Sequence, residues 1–136
     1  MALYNHLPVY KVSYDLLVDL FRFVKEFSRD YKYTIGESIK KEALEMIKNI
    51  YRANSTQQKV ELIQAARENA ETIRLYLRLT RDLRQISLDQ FVRLNEKIES
   101  ASRQLTAWQR ACARGTIEKA GVAFVKANAS APFPVQ

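Results

Sequence analysis

One stretch of the chain carries arginine in a pattern that could hold phosphate. The run Ile73-Arg74-Leu75-Tyr76-Leu77-Arg78-Leu79-Thr80-Arg81 reads as helix, in which each residue advances by about 100°. With Arg74 at zero, Arg78 falls at about +40°, Arg81 at about −20° and Arg67 at about +20°. Four guanidinium groups then share a sector about 60° wide, with Glu71 at its edge. The guanidinium fork suits bidentate phosphate contacts. At one-turn spacing of about 5.4 Å, a line of such forks can follow a nucleic-acid backbone. The same pattern also describes a solvated basic face, or arginines paired to acids on a neighbouring helix. The arginine line has no interleaved exposed aromatics, so base-specific readout is not expected.

The rest of that helix is apolar over a broad arc. Leu75, Leu79, Leu83, Tyr76, Ile73 and Leu77 run from about 100° round to about 300°, whereas a helix facing one core needs a stripe of about 100° or slightly more. The excess points to a second packing partner, another subunit, with Leu75, Leu79 and Tyr76 as interface residues. A closed ring would bring several copies of the arginine line together.

Other chemistry finds few residues to use. A single histidine, His6, and a single cysteine, Cys112, leave no His-based triad, no Cys-rich metal site and no internal disulfide framework. Gly36, Gly115 and Gly121 cannot be assembled into a phosphate loop. No carboxylate pair stands out as a catalytic dyad. The expectation is a non-enzymatic protein with no cofactor and no metal. The charge supports an anionic partner: 22 Lys and Arg against 15 Asp and Glu give +7. No apolar run reaches the roughly 18 residues of a membrane span, and the N-terminus lacks a secretory pattern, so a cytoplasmic protein is expected.

The elements that position these residues are helices. Three glycines and three prolines in 136 residues are too few turn formers for a β-sandwich or barrel. Pro8 suits a helix first turn. Tyr10, Tyr14, Leu17, Phe21, Val24 and Phe27 then recur at three- and four-residue steps, which predicts a helix over about 8–29 with that stripe as core. Thr34 with Glu37, Ser55 with Gln58 and Ser87 with Gln90 each have capping-box spacing. They predict helices over about 35–53, 56–84 and 88–113. In the last, Phe91, Ile98, Leu105 and Cys112 occupy one heptad position and Leu94, Ala101 and Trp108 the other. Trp108 and Cys112 are therefore read as packing residues. On the second helix Lys41, Lys48 and Arg52 share a face with Glu37 and Glu45, which reads as a salt-bridged surface. Arg103, Arg110 and Arg114 share a face of the fourth, with Glu96 and Glu99 nearby.

Short connections make consecutive helices antiparallel neighbours. The expected architecture is all-α, an antiparallel up-down-up-down four-helix bundle over residues 1–113. Residues 114–136, with Gly115, Pro132 and Pro134, are expected to form a loosely ordered tail.

These residues resemble a known family. Leu7-Pro8-Val9-Tyr10, Tyr33-Thr34-Ile35-Gly36-Glu37-Ser38-Ile39-Lys40-Lys41, Asn49-Ile50 and the Leu-Arg character of residues 73–79 are similar to the accessory variability determinant (Avd) proteins of diversity-generating retroelements. Those belong with the four-helix-bundle proteins of ribosomal RNA intervening sequences. The likeness covers about residues 7–112. The intervening-sequence relatives tend to carry Asn-Ile-Ala-Glu-Gly where this chain reads Asn49-Ile50-Tyr51-Arg52-Ala53. The resemblance implies a basic homopentamer that binds nucleic acid and the element's reverse transcriptase and supports mutagenic cDNA synthesis and retrohoming. It places Arg74 and Arg78 in the binding face, to which helical geometry adds Arg81 and Arg67. The alternative expectation is a protein–protein assembly module of the intervening-sequence family, its basic face meeting an acidic partner.

Overall fold

The computed structural model describes the backbone of residues 7–127 and the side chains of residues 7–115. The described residues form an all-α bundle of four long helices and one short turn of helix. These are α1 (Pro8–Val24), α2 (Arg29–Lys32), α3 (Ile35–Asn54), α4 (Lys59–Asp82) and α5 (Leu88–Ala127). Contacts link α1 to α3, α3 to α4, α4 to α5 and α5 back to α1, closing the four long helices around one core. Along α4 and α5 the contacts run in opposite chain order, from Arg67 with Gln109 through Arg74 with Glu99 to Arg81 with Phe91. None of the described helices is long and apolar enough to cross a membrane.

The core is largely aliphatic, with Phe27 as its buried ring. Leu16, Leu20, Ile39, Ile73, Leu94 and Ile98 are buried in it, with Ala43, Ala66, Ala70 and Ala101 where the helices approach closely. The heptad of the last helix holds: Leu94, Ile98, Ala101 and Leu105 are fully buried, and Phe91, Trp108 and Cys112 pack against them.

Helix α1 departs from the sequence reading twice. It ends at Val24 rather than near 29, because Phe27 folds back to bury its ring in the core. Only part of the expected stripe is core: Val24 and Phe27 are buried, and Tyr10 and Leu17 pack against the core. Val9, Ser13, Leu16, Leu20 and Val24 face inward, whereas Tyr14 and Phe21 are 50% and 43% exposed. Two stripes lie side by side on this helix. The inner one is interrupted by the polar Ser13 and Asp19, which masks its apolar period.

Of three expected capping boxes, one forms. The Gln90 N–H donates to Ser87 Oγ at 3.1 Å, and the Ser87 N–H donates to Gln90 Oε1 at 2.9 Å. Thr34 instead donates its hydroxyl to the Asp30 carbonyl, and Glu37 pairs with Lys40. Ser55 closes α3 by bonding back to the Tyr51 carbonyl, and α4 begins at Lys59, a little later than expected. Helix α5 runs on to Ala127, through the segment expected to be loose. Its two interior glycines, Gly115 and Gly121, cost about 1 kcal/mol each relative to alanine, which does not stop a helix otherwise rich in helix formers, and no proline intervenes before Pro132. Residues 128–136 and His6 lie outside the described residues.

The other end of α4 stops without glycine. The Gln85 N–H reaches the Thr80 carbonyl and the Arg84 N–H the Arg81 carbonyl, the paired bonds of a Schellman motif. Arg84 therefore occupies the left-handed region at φ 59°. Across the bundle, Gly36 at the start of α3 lets the α1 end come close. A Cβ there would stand 2.7 Å from Val24 Cγ1 and 3.2 Å from the Tyr31 carbonyl oxygen.

Two seams are held by polar contacts. Between α3 and α4, Asn49 donates to Asn69 Oδ1 and Asn69 donates to Glu42 Oε2, each at 2.9 Å. Between α1 and α5, the buried Asp19 carboxylate accepts from Arg93 at 3.1 Å and from Lys97.

Arg84→Gly is expected to stabilise the protein by about 0.5–1 kcal/mol, by removing the left-handed strain of a residue with a Cβ; urea unfolding measures it. The double substitution Arg93→Met with Lys97→Met is expected to destabilise by about 3–5 kcal/mol, because it strands a buried carboxylate. Adding Asp19→Leu should restore most of that stability, and the same unfolding curves decide it.

Candidate nucleic-acid interface

The arginines of α4 divide between a seam and an outer face. Arg67, Arg74 and Arg81, spaced two turns apart, meet α5. Arg67 Nη1 donates to Gln109 Oε1, and Gln109 in turn donates to the Val60 carbonyl and to Gln64 Oε1. Arg74 donates through Nε to Glu99 Oε1 at 2.7 Å and through Nη1 to Glu71. Arg81 pairs with Asp82 at 3.1 Å, and its guanidinium carbon lies 4.7 Å from the centre of the Phe91 ring.

Arg78 differs from the others. Its side chain is exposed and makes no ion pair with any described residue. It stands on the outer face of α4 beside Leu75 and Leu79, which are 62% and 41% exposed. Tyr76, grouped with those leucines in the sequence reading, is half-buried and packs against the core. The broad apolar arc of α4 thus splits. Ile73 and Leu77 serve the core, Tyr76 covers its edge, and Leu75 and Leu79 face outward.

The electrostatics follow from this division. The hydrogen bond that Arg74 donates to Glu99, more than the one it donates to Glu71, holds the guanidinium pKa above its ordinary value, against the opposing effect of burial. Arg74 therefore stays charged, and two carboxylates balance that charge. Arg81 shares its charge with one exposed aspartate, and Arg67 faces a neutral amide. Arg78 has its full charge open to water. The arrangement can hold phosphate at the outer face through Arg78 and serves α4–α5 cohesion through Arg74.

The partner of Arg74 was the residue that helical geometry on one helix could not supply. Glu71 lies on α4 itself and was visible there, but Glu99 comes from α5. The signal that finds it is the antiparallel order of the two helices: once Arg81 is set against Phe91, Arg74 falls opposite residues 98 and 99. Among the described residues, no group of three His, Cys, Asp or Glu side chains could hold a metal ion.

The family model described as bAvd-like matches residues 9–112. The chain belongs to the bAvd-like family. The match takes in α1 to α4 and most of the α5 stretch packed on α4, so the α4 arginines and the α4–α5 seam all fall inside it. The bAvd-like chain is thereby an Avd-like accessory protein. No match is found among curated proteins.

Arg74 and Arg78 should therefore separate in a stability measurement. Arg74→Ala is expected to destabilise by about 1–2 kcal/mol through removal of its two charge-assisted bonds. Arg78→Ala should stay within about 0.5 kcal/mol of the parent. Denaturant midpoints of the two variants give the answer.

Proposed function

We propose that this bAvd-like protein is a non-enzymatic accessory factor of a diversity-generating retroelement. It binds nucleic acid and the element's reverse transcriptase, and supports mutagenic cDNA synthesis and retrohoming. The observation that carries this reading is the family match over residues 9–112. The charge of +7 agrees with it, since such a surplus favours a polyanionic partner and speeds encounter with it.

In this reading the protein works as a homo-oligomer, a pentamer as the family resemblance implies. Leu75 and Leu79 on the outer face of α4 supply the aliphatic contact between copies. Arg78, lying beside them, contacts phosphate, with Arg67 and Arg81 behind it along the same helix. Arg74 acts mainly by fixing α5 against α4, because its charge is already balanced. Assembly multiplies a modest number of arginines into a polyvalent basic surface, where linked contacts raise avidity without any new kind of bond. The mechanism is electrostatic: cations displace counterions from RNA or cDNA, and the transcriptase is held nearby.

A salt titration of nucleic-acid binding tests the proposal. The logarithm of the binding constant should fall linearly with the logarithm of salt concentration. Arg78→Ala should reduce the slope by about one for each phosphate that its guanidinium neutralises in the parent. Binding that ignores salt, or no binding at low salt, overturns the reading in favour of an apolar protein-assembly module. Light scattering on Leu75→Asp with Leu79→Asp should show a smaller particle of unchanged helicity.

A further inference from the structure

The geometry points to the α1–α3 face as the place where single-stranded nucleic acid lies, its bases stacking on Tyr14 and Phe21 while Arg22 and Lys25 meet its phosphates. This rests on the nucleic-acid reading above and gives it a second surface, remote from the α4 arginines.

Exposed large apolar side chains are sorted by type across the described residues. On α1 and α3 they are Tyr14, Phe21, Leu44 and Tyr51, three of them aromatic. On α4 and α5 they are Leu75, Leu79, Leu88 and Val92, all aliphatic. Aliphatic patches suit packing against another protein surface. Aromatic rings offer flat faces on which any base can stack, whatever its sequence.

The rings are arranged for it. Tyr10 and Tyr14 already stack, with centroids 6.2 Å apart and planes 23° from parallel, so a base on Tyr14 would extend an existing pile. Phe21 follows Tyr14 by two helical turns, about 10.5 Å along the axis. Between them, Leu17, Val18 and Leu44 floor a groove of about 440 Å³.

The charge around that groove is complementary to a phosphate chain. Arg22, Lys25 and Lys40 stand at its wall, and Lys40 Nζ lies 4.9 Å from the centre of the Phe21 ring. Lys40 is paired with Glu37, so the open charge at this wall is that of Arg22 and Lys25. Arg22 and Lys25 make no ion pair with any described residue, and neither do the exposed Lys11, Lys41 and Arg52 of the same helices. Glu37 and Glu45 are taken up by Lys40 and Lys48, and Glu42 turns to Asn69 at the α4 seam. That leaves Asp15 and Glu26 against five unpaired cations. Duplex bases are already stacked on one another and cannot use the rings, so the face selects single strands.

Fluorescence anisotropy with labelled oligo-dT and a duplex DNA hairpin tests this on the full chain. The variant is Tyr14→Leu with Phe21→Leu, which keeps the groove apolar and removes both rings. Single-strand affinity is expected to fall about 10-fold or more, while duplex affinity changes less than about two-fold. Equal affinity of variant and parent for oligo-dT overturns the inference and leaves the nucleic-acid reading standing. Failure of the parent to bind either probe at low salt overturns that reading itself. A smaller particle mass for the variant in light scattering assigns the face to a second copy, and also overturns the inference. Should the double variant not fold, a 5-bromouridine oligonucleotide photo-cross-linked to the parent is expected to yield adducts at Tyr14 or Phe21. Adducts confined to α4 overturn the proposal.

Discussion

Asp19 is the constraint on which the closure of the bundle turns. It is a carboxylate almost out of water, and among the described residues it is the one charged side chain that is buried. A buried charge is tolerated only when paired and hydrogen-bonded. Arg93 and Lys97 meet that demand from α5, more than seventy residues away in sequence. Helices α3 and α4 are brought together by a short connection and an asparagine pair, and α4 and α5 by another short connection. Nothing so local brings α1 to α5. Aliphatic packing supplies the area of that contact but little register, since one turn of slippage would still bury leucine against leucine. A carboxylate that accepts only from residues 93 and 97 fixes which turn of α5 lies against which turn of α1.

The same logic explains why a basic helix is not the same as a basic face. Three of the four α4 arginines lie where two helices meet, and a guanidinium at such a seam takes partners from the neighbouring helix before it meets solvent. Arg74 is the extreme case, with a carboxylate from each helix. The positive surface of the molecule is instead spread over residues that make no internal pair, Arg78 among them, and over α1 and α3. Aromatic and aliphatic exposure divide along the same line, so the two sides of the bundle differ in chemistry although both are built from amphipathic helices.

Much of this was legible in the sequence, and the residues that were not share a cause. The α5 heptad and the approximate extents of α3 and α4 follow from local periodicity, and the Ser87 and Gln90 cap from short-range hydrogen bonding, all of which a single stretch of sequence encodes directly. The core stripe of α1 followed only in part, because Val9, Leu16 and Leu20 compete with Tyr10, Leu17 and Phe21 on adjacent faces. Only the other three helices decide which set points inward. The turn after Val24 was hidden because Phe27 continues the helical spacing while folding back into the core. Thr34 and Ser55 have cap spacing but find nearer carbonyl acceptors at the ends of the preceding helices. For the candidate site, the clustering of Arg67, Arg74, Arg78 and Arg81 on one side of α4 was readable. Which of them would be neutralised was not, since Glu99 belongs to another element.

Gly36 carries no functional group, yet it acts as a gauge for the aromatic face. With only a hydrogen as side chain, it lets the first turn of α3 settle against Val24 and the Tyr31 carbonyl. Phe21 and Lys40 stand about one turn further along the same crevice. A side chain at position 36 would meet Val24 and the Tyr31 carbonyl, so the end of α1 would have to shift or Val24 to repack. The closeness of α1 and α3 beside Phe21 therefore depends on a missing methyl group outside the groove.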